Sequence, residues 1–249
     1  SGVTDLLKNV LDRAANAMAG MVQGAITPAK AYKAGAIAMT MLGTCEQCAS
    51  SVRNALEQRG DQVIGFSASG IADRAMEEMV SQGLFRAVID LAPGGVGEHL
   101  FGFTRDAGPN RLESAGKAGI AQVVSTCGVN HVTPAKSRYK PEHQQRRKYD
   151  IDKYRTWLRS SPEELTQVAD AIAEKLNRAQ GPVTVIIPLR GWSSADCPGN
   201  PTYDPEEDRV FTNRLRARVK ADIPVIEVDA NMEDPEFAQA VVGALIDML

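Results

Sequence analysis

Short apolar runs recur along the chain at Ala36–Leu42, Gln62–Phe66, Ala87–Leu91, Ala121–Ser125, Val183–Ile187 and Val225–Val228. Helical spacing follows most of them, at Glu46–Gln58, Ala72–Gln82, Arg111–Ala118, Glu206–Val219 and Pro235–Leu249; a further helix, Pro162–Ala179, precedes the fifth run. Ser161-Pro-Glu-Glu reads as the cap of that helix, with proline at its first position and acids in its first turn. Near-continuous apolar strands alternating with helices signal a parallel sheet covered on both faces. The pattern predicts a single three-layer α/β sandwich with a mainly parallel, doubly wound, Rossmann- or flavodoxin-like sheet. Strand order is not legible in it.

One helix precedes every strand. From Val3 to about Gln23, Leu6, Leu7, Val10, Leu11, Ala14, Met18 and Met21 fall on one face, with Thr4 and Asp5 as cap oxygens. Such a stripe is expected to bury itself on the sheet or on something outside this chain. Ser1-Gly2 running almost directly into it is expected of an artificial start or of a cut from a longer protein.

The stretch from Thr126 to Arg159 is long and poor in apolar periodicity. Lys136, Arg138, Lys140, Arg146, Arg147 and Lys148 surround one acid, Glu142. A loop of this length is expected to be a solvated basic flap, or one that closes on an anionic ligand.

Composition narrows the partners. Lys and Arg number 28 against 31 Asp and Glu, a net charge of −3, so the basic footprint of a nucleic-acid binder is missing. No apolar run approaches the ~18 residues of a membrane span. The first residues also lack the plan of a signal peptide. Four cysteines in a chain this long do not make a disulfide framework, which points to a reducing, cytoplasmic setting.

In an open α/β sheet, ligands bind beyond the carboxyl ends of the strands, where helix N-termini point. Glycines, hydroxyls and amides gather there: Gly43-Thr-Cys-Glu-Gln-Cys48, Ser67-Ala-Ser-Gly70, Pro93-Gly-Gly-Val-Gly-Glu98-His99, Thr126-Cys-Gly-Val-Asn130-His131, Pro188-Leu-Arg190-Gly191-Trp-Ser193-Ser-Ala-Asp196 and Asp229-Ala-Asn231. Arg190 is placed either to fork onto a carboxylate or phosphate, or to pair with Asp196 or Asp204. Arg74 lies one turn into a helix, where a cation opposes the dipole unless an anion is near. Cys45-x-x-Cys48 has redox spacing but reads better as two buried thiols at a helix start. A zinc site would need Cys127, His99 or His131 to converge on that pair. Neither the dinucleotide glycine fingerprint nor a P-loop occurs, and Ser67 and Ser69 are not in a nucleophile elbow.

Residues 181–206, Gly-Pro-Val-Thr-Val-Ile-Ile-Pro-Leu-Arg-Gly-Trp-Ser-Ser-Ala-Asp-Cys-Pro-Gly-Asn-Pro-Thr-Tyr-Asp-Pro-Glu, resemble the signature of the family of the tomato mosaic virus resistance protein and its uncharacterised bacterial relatives. Arg74-Ala-Met-Glu-Glu78, Gly108-Pro-Asn-Arg-Leu-Glu113, Glu174-Lys-Leu-Asn-Arg178 and Asp234-Pro-Glu-Phe-Ala238 extend the likeness over nearly the whole chain. Cys48, Gly70, Arg74, Arg190, Gly191, Ser193, Asp196, Gly199 and Asp204 match its pattern. Ser67–Asp73 lacks the expected histidine and two glycines, Ala92-Pro-Gly-Gly95 replaces a threonine run with a glutamate, and Asn130 stands for an aspartate. The resemblance implies the carboxyl-terminal member of two α/β halves, ATP binding by the whole protein, and self-association as a homodimer or higher oligomer.

These readings converge on a crevice for a nucleotide or small anionic metabolite. Arg74 and Arg190 are expected to hold its charge, with Thr44, Ser67, Ser69, Gly70, Asn130, Gly191 and Ser193 around it. The alternative is a hydrolase or C–C lyase acting on a small carboxylate or phosphate, with Glu98, His99 or Asp196 as acid/base groups. An interaction or inhibitor module is the third reading.

Overall fold

The computed structural model describes residues 5–23 and 35–249. It divides into two units, residues 1–33 and 34–249. In the first, α1 (Asp5–Gln23) is an amphipathic helix whose Val10, Leu11, Met18 and Met21 are exposed. Val3 and Thr4, where the sequence starts this helix, and the connection after it lie outside the described residues.

The second unit opens with β1 (Ala36–Met41), α2 (Glu46–Gln58), β2 (Val63–Ser67), α3 (Ile71–Ser81), β3 (Phe85–Asp90), α4 (Gly95–Phe101), α5 (Ser114–Ala118) and β4 (Ala121–Val124). A short antiparallel insertion follows: β5 (His131–Val132), α6 (Pro141–Gln145), β6 (Lys148–Asp150) and β7 (Thr156–Arg159). The chain then completes the main layer system with α7 (Pro162–Leu176), β8 (Val183–Pro188), α8 (Pro205–Arg218), β9 (Val225–Val228) and α9 (Pro235–Met248).

Six strands form one parallel sheet in the order β2-β1-β3-β4-β8-β9. Both faces are covered, as the apolar runs require. Ile37, Met39, Ile89 and Val123 point to α2 and α9, meeting Leu56, Phe237 and Val241. On the other face Ala36, Ala38 and Val88 meet Met76 and Val80 of α3. Val124, Val185 and Ile187 there meet Leu165, Ile172, Phe211 and Leu215 of α7 and α8. Each of these large aliphatic or aromatic side chains, once buried, contributes about 1.5–3 kcal/mol. The three-layer α/β sandwich read from the sequence is the architecture found. The cap of α7 also forms as read: Ser161 Oγ accepts from the Glu164 N–H, and the Glu164 carboxylate accepts from the Ser161 N–H.

Three features differ from expectation, the first being helix α4 (Gly95–Phe101), in a stretch read only as a glycine-rich segment after the third strand. Helix α5 starts at Ser114 rather than Arg111, because Leu112 takes a left-handed φ of 69° that no helix tolerates. That turn is held from inside the fold. The Glu77 carboxylate accepts from the N–H groups of Leu112 and Ser114, while the fully buried Arg111 reaches Asp73, Glu77 and Asp90.

The stretch 126–159 is not a solvated loop. It folds into the antiparallel sheet β5-β7-β6, with Val132 opposite Leu158 and Tyr149 opposite Trp157. Its basic residues are partly spent internally, Arg146 on Glu164 and Arg147 on Asp204 and Glu207.

Candidate functional site

The strand order reverses at β1, which has β2 on one side and β3 on the other. Beyond the carboxyl ends of such strands an open sheet leaves a crevice. A cleft of about 660 Å³ lies there. Its floor carries Leu42, Gly43 and Thr44 after β1, with Ser67 and Ser69 from β2 and its loop. The small sheet forms its other wall with Thr133, Tyr149, Thr156 and Trp157, and the β6–β7 turn brings Tyr154 and Arg155. Asp152 shapes that turn, its carboxylate accepting from the N–H groups of Tyr154 and Arg155.

Arg105, between α4 and α5, is the buried cation of this cleft. Its guanidinium carbon sits 4.7 Å over the Trp157 ring. Nη2 donates to Glu98 Oε1 at 2.9 Å and to the His131 carbonyl at 3.1 Å. The second Glu98 oxygen accepts from the Arg105 N–H and from the Thr133 hydroxyl. Glu98, an acid/base candidate on sequence, is therefore a fully buried counter-ion whose oxygens are occupied.

Three further candidates hold the loop that carries Arg105. Arg74 pairs with Asp106 Oδ1 at 3.2 Å and also donates to the Asp106 carbonyl. His99 Nδ1 lies 2.9 Å from the same Asp106 oxygen. Gly70 has φ 97°, and a Cβ there would stand 2.7 Å from the Asp106 carbonyl oxygen. Arg74 and His99 line a separate hollow rather than the cleft.

Asn130, Ser193 and Asp196 gather beyond β4 and β8 in a buried polar cluster. Asn130 Nδ2 donates to Asp196 Oδ2 at 2.7 Å and to Asp208 Oδ1 at 3.0 Å. Arg159 meets Asp208 at 2.5 Å and Glu207 at 2.9 Å, and stands 3.7 Å from Asp196. The Trp192 N–H donates to Asp196, which tightens the loop after β8. Gly191 has φ 109° there, and any Cβ would collide with the Asp196 carbonyl. Burial, and then the nearby Asp196 charge, push the Asp208 carboxyl well above its ordinary range. Ser193, Asp196 and Asn130 are fully buried, so none is presented to a substrate. Arg190 pairs with neither Asp196 nor Asp204; it grips both oxygens of Asp229, at 2.8 and 2.7 Å, on the exposed surface.

Helix dipoles help less than the topology suggests. At the start of α2 the Glu233 carboxylate accepts from the N–H groups of Cys48 and Gln47, so an internal anion already sits there. At α3, Asp73 accepts from the Gly70 N–H. Cys45 and Cys48 are buried thiols. The Cys127 thiol beside Cys45, together with burial, pushes the Cys45 thiol up, and burial does so for Cys48, away from redox-active thiolates. His99 and His131 stand apart from them, with Asp106 and Trp157 respectively. Among the described residues no cluster of three or more His, Cys, Asp or Glu side chains could hold a metal, and no helix is long and apolar enough to cross a membrane.

Residues 34–249 match the family model described as "Uncharacterised protein family (UPF0261) C-terminal domain". The chain belongs to this family. It is 34% identical to a UPF0261 protein of Clostridium tetani, over 100% of this chain and 62% of that protein. Against the ToMV resistance protein Tm-1(GCR237) of Solanum lycopersicum it is 29% identical over 99% of this chain and 34% of the relative. A UPF0261 protein of Brucella melitensis is 33% identical over 95% of this chain and 57% of its own length. The chain thus spans less than two thirds of each of these relatives.

In this UPF0261 C-terminal domain the sequence reading placed Thr44, Ser67 and Ser69 where the cleft floor lies, but passed over its walls. Arg105, Tyr149, Tyr154, Arg155 and Trp157 went unnoticed, and Lys136 was read only as one of the basic residues of the 126–159 stretch. The alternation of Thr156-Trp157-Leu158 within an otherwise basic stretch was the available sign of a buried strand.

Proposed function

We propose that this domain binds a small anionic organic molecule in the cleft beyond β1 and β2. The observation that carries the reading is the lining itself. Arg105, Lys136 and Arg155 project cations, nine side chains supply hydroxyls, and no lining residue among those described is a carboxylate or an imidazole. Such a wall attracts an anion and offers it neutral donors. It offers neither a carboxylate nor an imidazole, the commonest acid/base groups, which favours binding over the hydrolase or lyase alternative. A second α/β half and self-association belong to the same proposal, as does a reducing cellular setting suited to four free cysteines.

A thermal-shift screen against acetate, succinate, inorganic phosphate and adenine nucleotides tests it. Anions that bind the folded state alone raise Tm in proportion to their occupancy. The expected result is a rise for at least one anion at millimolar concentration, reduced in Lys136→Glu. No rise for any of them, or a rise indifferent to Lys136→Glu, would sink the reading.

A further inference from the structure

We infer that the cleft selects a small carboxylate, with Arg105 as its receptor, and rejects the polyphosphate of a nucleotide. The inference rests on the binding reading above and adds the ligand class.

Charge balance decides between the classes. Glu98 lies directly behind Arg105 and offsets much of its charge. Arg155 is paired with Asp152 at the rim, 2.7 Å away. Lys136 alone has no acidic partner among the described residues, so the wall carries roughly one uncompensated positive charge. A mono- or dicarboxylate matches that; a triphosphate brings several negative charges that nothing here neutralises. No carboxylate on the lining is available to share a divalent cation with it.

Phosphate sites in α/β folds also use free backbone N–H groups at helix starts. Here Glu233 already accepts at the start of α2, and Asp73 takes the N–H of Gly70, the residue that caps α3. Recognition therefore falls to side chains. Trp157 covers one face of the Arg105 guanidinium, and Glu98 and the His131 carbonyl take Nη2. Nη1 has no partner among the described residues, and it belongs to a side chain on the cleft lining. A guanidinium fixed on three sides loses little further entropy on meeting a carboxylate. Burial, and then the charges of Arg159 and Arg105, hold His131 well below the usual imidazole range. It stays neutral behind Arg105 and adds no cation there. The ATP implied by family resemblance does not fit this cleft, and a nucleotide bound by longer relatives would be held by other residues.

Isothermal titration with succinate, inorganic phosphate and ADP tests this, with Trp157 fluorescence followed in a Trp192→Phe background as the local readout. Succinate is expected to bind and to change Trp157 emission, while phosphate and ADP bind at least about tenfold more weakly. Removing Arg105 alone leaves Glu98 buried and unpaired, so the Glu98→Gln/Arg105→Gln double variant is the fair comparison. It should lose at least about tenfold in succinate affinity with Tm near that of the parent. If that protein does not fold, Arg105→Lys, which keeps the charge and loses the planar fork, should show the same loss. ADP or phosphate binding as tightly as succinate, or either variant keeping full affinity, overturns the inference while leaving an anion site in place. Binding by none of the three probes overturns the anion-binding reading itself.

Discussion

Two polar regions sit at the same topological level, beyond the carboxyl ends of the parallel strands, and they behave oppositely. Above β1 and β2 the polar groups face an open cleft, with neutral hydroxyls and cations on its wall. Above β4 and β8 the groups are more chemically suggestive, yet Asn130, Arg159, Asp196 and Asp208 are sealed within the fold and bonded to each other. Residue type alone marks the second region as a catalytic site. Burial makes it a joint that ties the small sheet to α8 and the loop after β8. A carboxylate with a shifted pKa signals function only where something can reach it.

The largest test of this contrast is Arg159→Met. It strands Asp208, Glu207 and Asp196 without their shared cation, and loss of one partner from a buried ion network costs about 3–5 kcal/mol. Urea denaturation should show that loss. Were stability unchanged, the network would not be the structural joint described.

Glu233→Ala tests the internal anion at the start of α2. Removing an anion from a helix start typically costs about 0.3–1 kcal/mol, and it frees the N–H groups of Cys48 and Gln47. Phosphate should then raise Tm more in this variant than in the parent. Equal phosphate responses would show that Glu233 does not occupy an anion position.

Asp208→Asn keeps an oxygen for Asn130 and Arg159 while removing a titrating group. Because the folded state holds the Asp208 proton more tightly than the unfolded chain, it binds more protons at any pH between the unfolded and the folded pKa. That contribution to stability is present below the unfolded carboxylate pKa of about 3.9 and is lost as pH rises towards the folded value. The variant should equal or exceed the parent in Tm at about pH 7, and its advantage should shrink towards about pH 4. A parent that gains stability relative to Asp208→Asn as pH rises would reverse the sign.

The smallest effect belongs to Arg190→Ala. Its bond to Asp229 is exposed on both sides, where salt and solvent screen it. Neither Tm nor cleft affinity should change measurably. A loss of anion affinity would move the site from the β1–β2 cleft to the β8 edge.

The sheet and its helices were legible because their signal is local. A strand buried on both faces needs an unbroken apolar run, and a helix between strands needs a stripe at its own period. The α7 cap could be read for the same reason, since Ser161 and Glu164 are three residues apart. The cleft wall is another matter. Arg105 depends on Glu98, Trp157 and the His131 carbonyl, and no spacing along the chain ties Trp157 to Arg105. Arg190 was misread because its partner, Asp229, follows the next strand.

By itself, then, the sequence determined the layered α/β architecture, the level at which polar loops gather, and the family. Tertiary structure alone decided which of those loops faces solvent, and which cation remains available after internal acids have taken the others. The physical reason is that hydrophobic patterning acts over a few residues, whereas burial and charge pairing depend on neighbours brought together only when the strands take their order.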